Sequence, residues 1–166
     1  MSEPDSLSYI DIFVSDGGSW VSWLVKKLTK SRWSHTGFIV NGQIIDSDIT
    51  GVAKRKYYLT RDNSEIIRLK LTPIGRQLVL RKINTLLGSG YDYLLIFSLF
   101  YHLLRGRRHH ENIRDLDGYF TCSEFVATCC QEVQSFGPCP PDSITPQDIW
   151  DWAKHNGAIL CMEQSR

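Results

Sequence analysis

Five cysteines occur in this chain, at positions 122, 129, 130, 139 and 161, and one of them stands where a helix should begin. Thr121-Cys-Ser-Glu124 reads as a capping box, in which the Thr hydroxyl accepts from the third helical amide and the Glu carboxylate returns to the cap amide. Cys122 then takes the first helical position. There the free N–H groups and the positive end of the helix dipole favour a thiolate over a thiol. The same amides can donate to an oxyanion formed beside the sulfur. Cys129 and Cys130 lie two turns further on, where that field has faded, Cys139 stands among prolines, and Cys161 falls in an expected strand. Cys122 is the thiol with an electrostatic reason to be a nucleophile.

A thiolate nucleophile needs a base, and the base needs an acceptor to orient it. Of the histidines at 35, 102, 109, 110 and 155, His35 has the best context. It opens a β-like run, residues 35–40 (HTGFIV), which Asn41-Gly42 turns back into residues 43–47 (QIIDS). Asn-Gly between two such runs is a strong hairpin signal, because both central residues must accept positive φ. On the returning strand Asp46 and Asp48 share a face, since side chains alternate. A carboxylate from that strand, Asp46 or Asp48, can meet the imidazole and fix its tautomer. Each residue also has a plain reading: an inert helix-start cysteine, a satisfied edge histidine, a solvated turn. Their combination is more specific than its parts.

Other chemistries find less support. An odd number of cysteines, all in the last third of the chain, argues against a disulfide framework. No Cys-x-x-Cys pair is present, and adjacent Cys129 and Cys130 would point in different directions on a helix, so no metal site is expected. The expected site uses no cofactor.

The elements that must position these residues follow from pattern. Residues 9–14 (YIDIFV) and 65–71 (EIIRLKL) are further strands. Gly17-Gly18 breaks the first, and Ser19 can cap a helix carrying Trp20, Trp23, Leu24 and Leu28. Thr72-Pro73 starts a helix through Leu87 that Gly88 stops. Residues 93–104 (YLLIFSLFYHLL) form a strongly apolar helix, followed by a polar stretch 105–117. The helix opened by Thr121 runs to about Val133, residues 138–141 form a rigid loop, and Thr145-Pro-Gln-Asp148 opens a last helix that stops at Asn156-Gly157. Residues 158–162 can close the sheet. Trp20, Trp23 and Trp33 are expected in the core or a cleft wall, and Trp150 and Trp152 as helix-packing anchors.

Ser34-His-Thr-Gly-Phe-Ile-Val40 with Asn41-Gly-Gln-Ile-Ile-Asp46, and separately Phe120-Thr-Cys-Ser-Glu-Phe-Val126, resemble the histidine block and the nucleophile helix of the NlpC/P60 superfamily. Here the histidine precedes the cysteine. That order resembles the circularly permuted branch, the YiiX/YebB-like and lecithin:retinol acyltransferase-like papain-fold enzymes. Residues 11–14, 31–33, Gly51-Val52 and Gly90-Tyr-Asp-Tyr93 resemble connecting segments of the YiiX-like group, so the likeness spans roughly residues 9–130. It implies an α+β, circularly permuted papain-like fold with a small antiparallel sheet packed against helices. It implies Cys122 as nucleophile, His35 as base and Asp46 as third residue, where relatives often carry Glu or His. The implied activity is that of a thiol-dependent hydrolase, an amidase or peptidase working through a thioester on cell-wall peptide or related amide bonds, in a bacterial or phage setting. A lipid-directed acyltransferase or esterase of the same fold, and a non-catalytic binding module, are the alternatives.

Composition limits the partners. The 166 residues are 42% hydrophobic and 22% charged, and 19 Lys and Arg against 18 Asp and Glu leave a formal charge of +1. A chain that grips nucleic acid carries a clear basic excess, which is missing here, so the expected partner is a small-molecule or peptide substrate. Length favours one domain over residues 1–166, with residues 1–8 a flexible N-terminus. No apolar run reaches the roughly 18 residues of a membrane span, and the acidic, polar N-terminus does not resemble a secretory signal. The expected location is the cytoplasm, from which lysis or virion delivery would reach a cell-wall target. Arg105, Arg107 and Arg108 after the apolar helix form either a solvated basic loop or a peripheral contact with anionic lipid.

Overall fold

Strand-forming runs separated by tight turns build an antiparallel sheet from the first half of the chain, and helices from the second half cover one of its faces. The computed structural model describes residues 8–17, 22–23, 26–27, 30–60, 62–92 and 118–160. The strands are β1 (Ser8–Ser15), β2 (His35–Val40), β3 (Gln43–Asp48), β4 (Gly51–Lys56), β5 (Ser64–Leu71) and β6 (Ile159–Leu160). The helices are α1 (Pro73–Leu86), α2 (Cys122–Cys130) and α3 (Pro146–His155), with a short 3-10 turn at Pro141–Ser143. The class is α+β. The six strands lie in the order β4-β3-β2-β1-β5-β6, and every neighbouring pair is antiparallel.

Register follows from two turns. Asn41 and Gly42 both adopt positive φ, 51° and 73°, and bring Val40 opposite Gln43, the geometry a two-residue hairpin demands. Asp48 then accepts from the amide and hydroxyl of Thr50, each at 2.7 Å, and Gly51 turns at φ 91° into β4. The sequence reading contained no β4. GVAKRK lacks the aromatic and branched density of the other strands, so it becomes a strand through pairing with β3 rather than through propensity. The other differences are at element ends: β1 takes in Ser8, expected in the flexible N-terminus but paired with Leu71, and runs to Ser15, β3 extends to Asp48, β5 starts at Ser64, β6 is confined to Ile159–Leu160, α2 stops at Cys130, and α1 ends one residue earlier, with Leu87 as its cap.

The helix-covered face carries the main core. Ile10, Ile12, Val14, Phe38, Ile45, Val52, Ile67 and Leu69 from the sheet meet Val79 and Ile83 of α1, Phe125 and Val126 of α2, and Ile149 and Ala153 of α3. Phe38 and Phe125 pack edge to face at 5.6 Å, an arrangement worth something beyond the area it buries. This contact fixes α2 over β2. On the opposite face Phe13, Ile44 and Leu59 form a smaller cluster.

Several expectations fall outside the described residues: the helix at 93–104, the arginines at 105, 107 and 108, Trp20, and Cys161. Of the helix expected after Ser19, the positions 22, 23, 26 and 27 are described and helical. Trp33 is buried, as expected, and packs against Trp150 at 6.4 Å. Trp23 is exposed rather than part of the core, and Lys27 lies over its ring. Trp150 and Trp152 lie partly buried against the core.

Candidate active site

Three elements bring the predicted residues together at the end of the sheet where β2 begins. His35 is the first residue of β2, and Asp46 lies on β3 opposite Gly37. In that register the two side chains share the face away from the helices, two positions apart along adjacent strands. His35 Nε2 and Asp46 Oδ2 are 2.8 Å apart. The pairing assigns the Nε2 proton to the carboxylate and leaves Nδ1 for another partner. That partner is Cys122, whose side chain lies within hydrogen-bonding reach of the same imidazole. Its Sγ also lies 3.9 Å from the carbonyl of Ser34, a long contact even for a thiol.

Gly37 makes this possible. A Cβ at that position would sit 2.7 Å from the Asp46 Cβ and 2.8 Å from a ring carbon of Phe13. Any side chain there would push Asp46 out from under the imidazole. Phe13 itself stands 5.7 Å from the His35 ring and supports it from the adjoining strand.

Helix α2 begins as its sequence dictates. The Thr121 hydroxyl accepts from the Glu124 amide at 3.3 Å, and the Glu124 carboxylate accepts from the Thr121 amide at 3.2 Å. The Phe125 amide returns to the Thr121 carbonyl. Among the described residues, the amides of Cys122 and Ser123 make no such bond, and they are the donors available to an oxyanion. The approach to this helix is clamped twice. Gly90 exchanges backbone bonds with Gly118 and Phe120, each at 3.0 Å, and the Ser47 hydroxyl donates to the Phe120 carbonyl at 2.7 Å. Adjacent residues of β3 therefore serve the two halves of the site: Asp46 holds the histidine on one face, and Ser47 holds the lead-in to the cysteine on the other.

Asp46 is 1% exposed, and a carboxylate so buried must be paired. Tyr58 donates to its Oδ2 at 3.0 Å, and Arg55 Nε lies 2.8 Å from Oδ1 in ionic contact, without hydrogen-bond alignment. Burial alone would raise the carboxyl, but the bond and charge of His35, then Arg55 and Tyr58, outweigh it and hold the group below its ordinary value. Burial alone would likewise lower His35. The hydrogen bonds to Asp46 and Cys122, with the charges of both, overcome this and lift the imidazole from 6.5 to about 10. Burial and the Asp46 charge push the Tyr58 hydroxyl upward, so it stays a donor.

Asp48, the alternative third residue, does not orient the imidazole. Its Oδ1 caps the β3–β4 turn and meets Arg55 Nη2 at 2.5 Å. Neither Arg55 nor Tyr58 stands out in the sequence by type or motif. The signal that could have found them is the run Asp48-Ile-Thr-Gly51, an Asx-type turn closed by glycine, which announces another strand. Alternation along that strand then places Arg55 on the Asp46 face.

The remaining thiols differ in kind. Cys129 and Cys130 are buried, as Cys122 is, but theirs is an apolar burial that pushes both well above the ordinary thiol range. Cys139 is exposed and free. Among the described residues no three His, Cys, Asp or Glu side chains converge as metal ligands, and no helix is long and apolar enough to cross a membrane. Two shallow surface depressions, of about 300 and 360 Å³, open elsewhere and include none of Cys122, His35 or Asp46. No family model matches the chain, and no curated protein matches it.

Proposed function

We propose that this protein is a thiol hydrolase of the amidase or peptidase type, built on a circularly permuted papain-like arrangement in which Cys122, His35 and Asp46 act as nucleophile, base and orienting acid. The observation that carries the reading is His35 set between a buried carboxylate and a thiol at a capped helix start. A binding module that merely kept the fold would have no need of a carboxylate so buried, or of a glycine opened to admit it.

The chemistry runs in two stages. The proton of the Cys122 thiol passes to His35 beside Asp46, and the sulfur attacks the carbonyl carbon of the scissile amide. The amides of Cys122 and Ser123 receive the developing oxyanion. His35 passes its Nδ1 proton to the departing nitrogen, the C–N bond breaks, and a thioester remains on Cys122. Neutral His35 then takes a proton from water as the hydroxide adds to the thioester. Collapse releases the acid and returns Cys122 and His35 to their starting state. The leading substrate class is a cell-wall stem peptide or a related γ-glutamyl-type amide.

A panel of such peptides, with acyl-enzyme detected by intact mass and mapped by digestion, tests the reading. Wild type should accumulate or turn over an acyl adduct on Cys122, His35→Ala should form it at least about 10²-fold more slowly, and Cys122→Ala should form none. An electrophile that labels Cys139 in preference to Cys122 in wild type would overturn it.

A further inference from the structure

We propose that Arg55 is a positioning residue for this site, its guanidinium bridging Asp46 and Asp48 so that one chosen oxygen of Asp46 is presented to His35. The inference rests on the functional reading above and extends it to the strand beyond the triad.

Asp46 divides its oxygens between two kinds of partner. Oδ2 takes His35 Nε2 at 2.8 Å and the Tyr58 hydroxyl at 3.0 Å, whereas Oδ1 faces Arg55 Nε at 2.8 Å. The far end of the same guanidinium is fastened to the β3–β4 turn. Its Nη2 meets Asp48 Oδ1 at 2.5 Å, the Gly51 carbonyl at 3.0 Å and the Thr50 hydroxyl at 3.1 Å. Arg55 is therefore fixed by the turn before it acts on Asp46.

Two consequences follow from charge and shape. Asp46 and Asp48 lie two residues apart on one strand face, and without a cation between them each would disfavour ionisation of the other. Among the described residues, the groups facing Asp46 are His35 on β2, Asp48 on its own strand, Arg55 on β4 and Tyr58 beyond it, with Cys122 of α2 across the imidazole. Among these described groups Arg55 is the permanent cation. Its planar fork spans both carboxylates, which a lysine ammonium cannot do. Arg55 touches neither the thiol nor the imidazole, and its effect passes through Asp46.

The test is the pH dependence of iodoacetamide alkylation at Cys122, mapped by mass, in the full chain, with exposed Cys139 as the internal reference. In wild type, Cys122 should outpace Cys139 on the acid side of neutrality. In Arg55→Gln the Asp46 carboxyl loses its neighbouring cation and takes a proton at higher pH, so the acid limb of Cys122 labelling should move up by about one pH unit. Arg55→Lys should move it the same way by less. A purely structural role would lower the melting temperature and leave the limb in place. A limb in Arg55→Gln that superimposes on wild type overturns the role of Arg55 while leaving the site reading intact. Wild-type Cys122 no faster than Cys139 overturns both. Should Arg55→Gln not fold, Arg55→Lys decides alone, a displaced limb supporting the role and an unmoved one overturning it.

Discussion

The two ends of α2 carry the same functional group in opposite circumstances. At its start, Cys122 sits beside amides that make no intrahelical bond among the described residues, and beside an imidazole lifted to about 10. Two turns on, Cys129 and Cys130 face the core, with no described base beside them, and burial holds both as neutral thiols. The residue type is the same at both ends of this helix. What changes is the surroundings: one end suits the proposed nucleophile and the other is packing.

Exchanging the roles is the strongest way to break that contrast. Cys122→Ala should reduce turnover of any amide substrate to background while leaving the thermal midpoint nearly unchanged. Asp46→Asn follows, with a loss of about 10³- to 10⁴-fold, because the amide no longer fixes the imidazole and leaves Arg55 without its inner partner. Gly37→Ala tests the same pairing from outside the triad. The added methyl should displace Asp46 by a fraction of an ångström or more and cost about 10²-fold in rate, measured on the same substrate.

The other end of α2 should respond in the reverse sense. Cys130→Ser places a hydroxyl in apolar surroundings and should cost about 1–3 kcal/mol in urea unfolding, with Cys122 labelling unchanged.

Stability against pH sharpens the contrast further. His35 has its folded pKa raised, so its contribution is complete below about pH 6.5 and drains away as pH rises toward about 10. Asp46 has its folded pKa lowered, so its contribution is present above its ordinary value near 3.8 and is lost as the medium becomes more acidic. Unfolding free energy measured across pH 3–10 should therefore peak in weak acid and decline on the alkaline side. In His35→Gln the alkaline decline should flatten. The smallest effect is expected from Thr121→Ala, which removes half the capping box and should cost about 1 kcal/mol, with slower labelling of Cys122.

Much of this was legible in the sequence because local rules wrote it. The capping boxes at Thr121 and Thr145, the Asn41-Gly42 turn and the alternation that puts Asp46 on the His35 face all follow from spacing within a few residues. What escaped depends on partners distant in the chain or on what a residue lacks. β4 is polar enough to pass for loop until β3 lies beside it. Tyr58 follows that unrecognised strand, and the Ser47 bond to Phe120 spans 73 residues. Gly37 looks like an ordinary strand glycine until the Asp46 and Phe13 side chains that fill its space are in place.

The two faces of β3 have one more consequence. A shift of its pairing by a single residue would turn Asp46 toward the helices and Ser47 away from them. The base would lose its carboxylate in the same step that the thiol's lead-in lost its anchor. A chain caught in the wrong alignment would lack the proposed site, and reactivity at this sulfur would report that the hairpin has closed on the right rung.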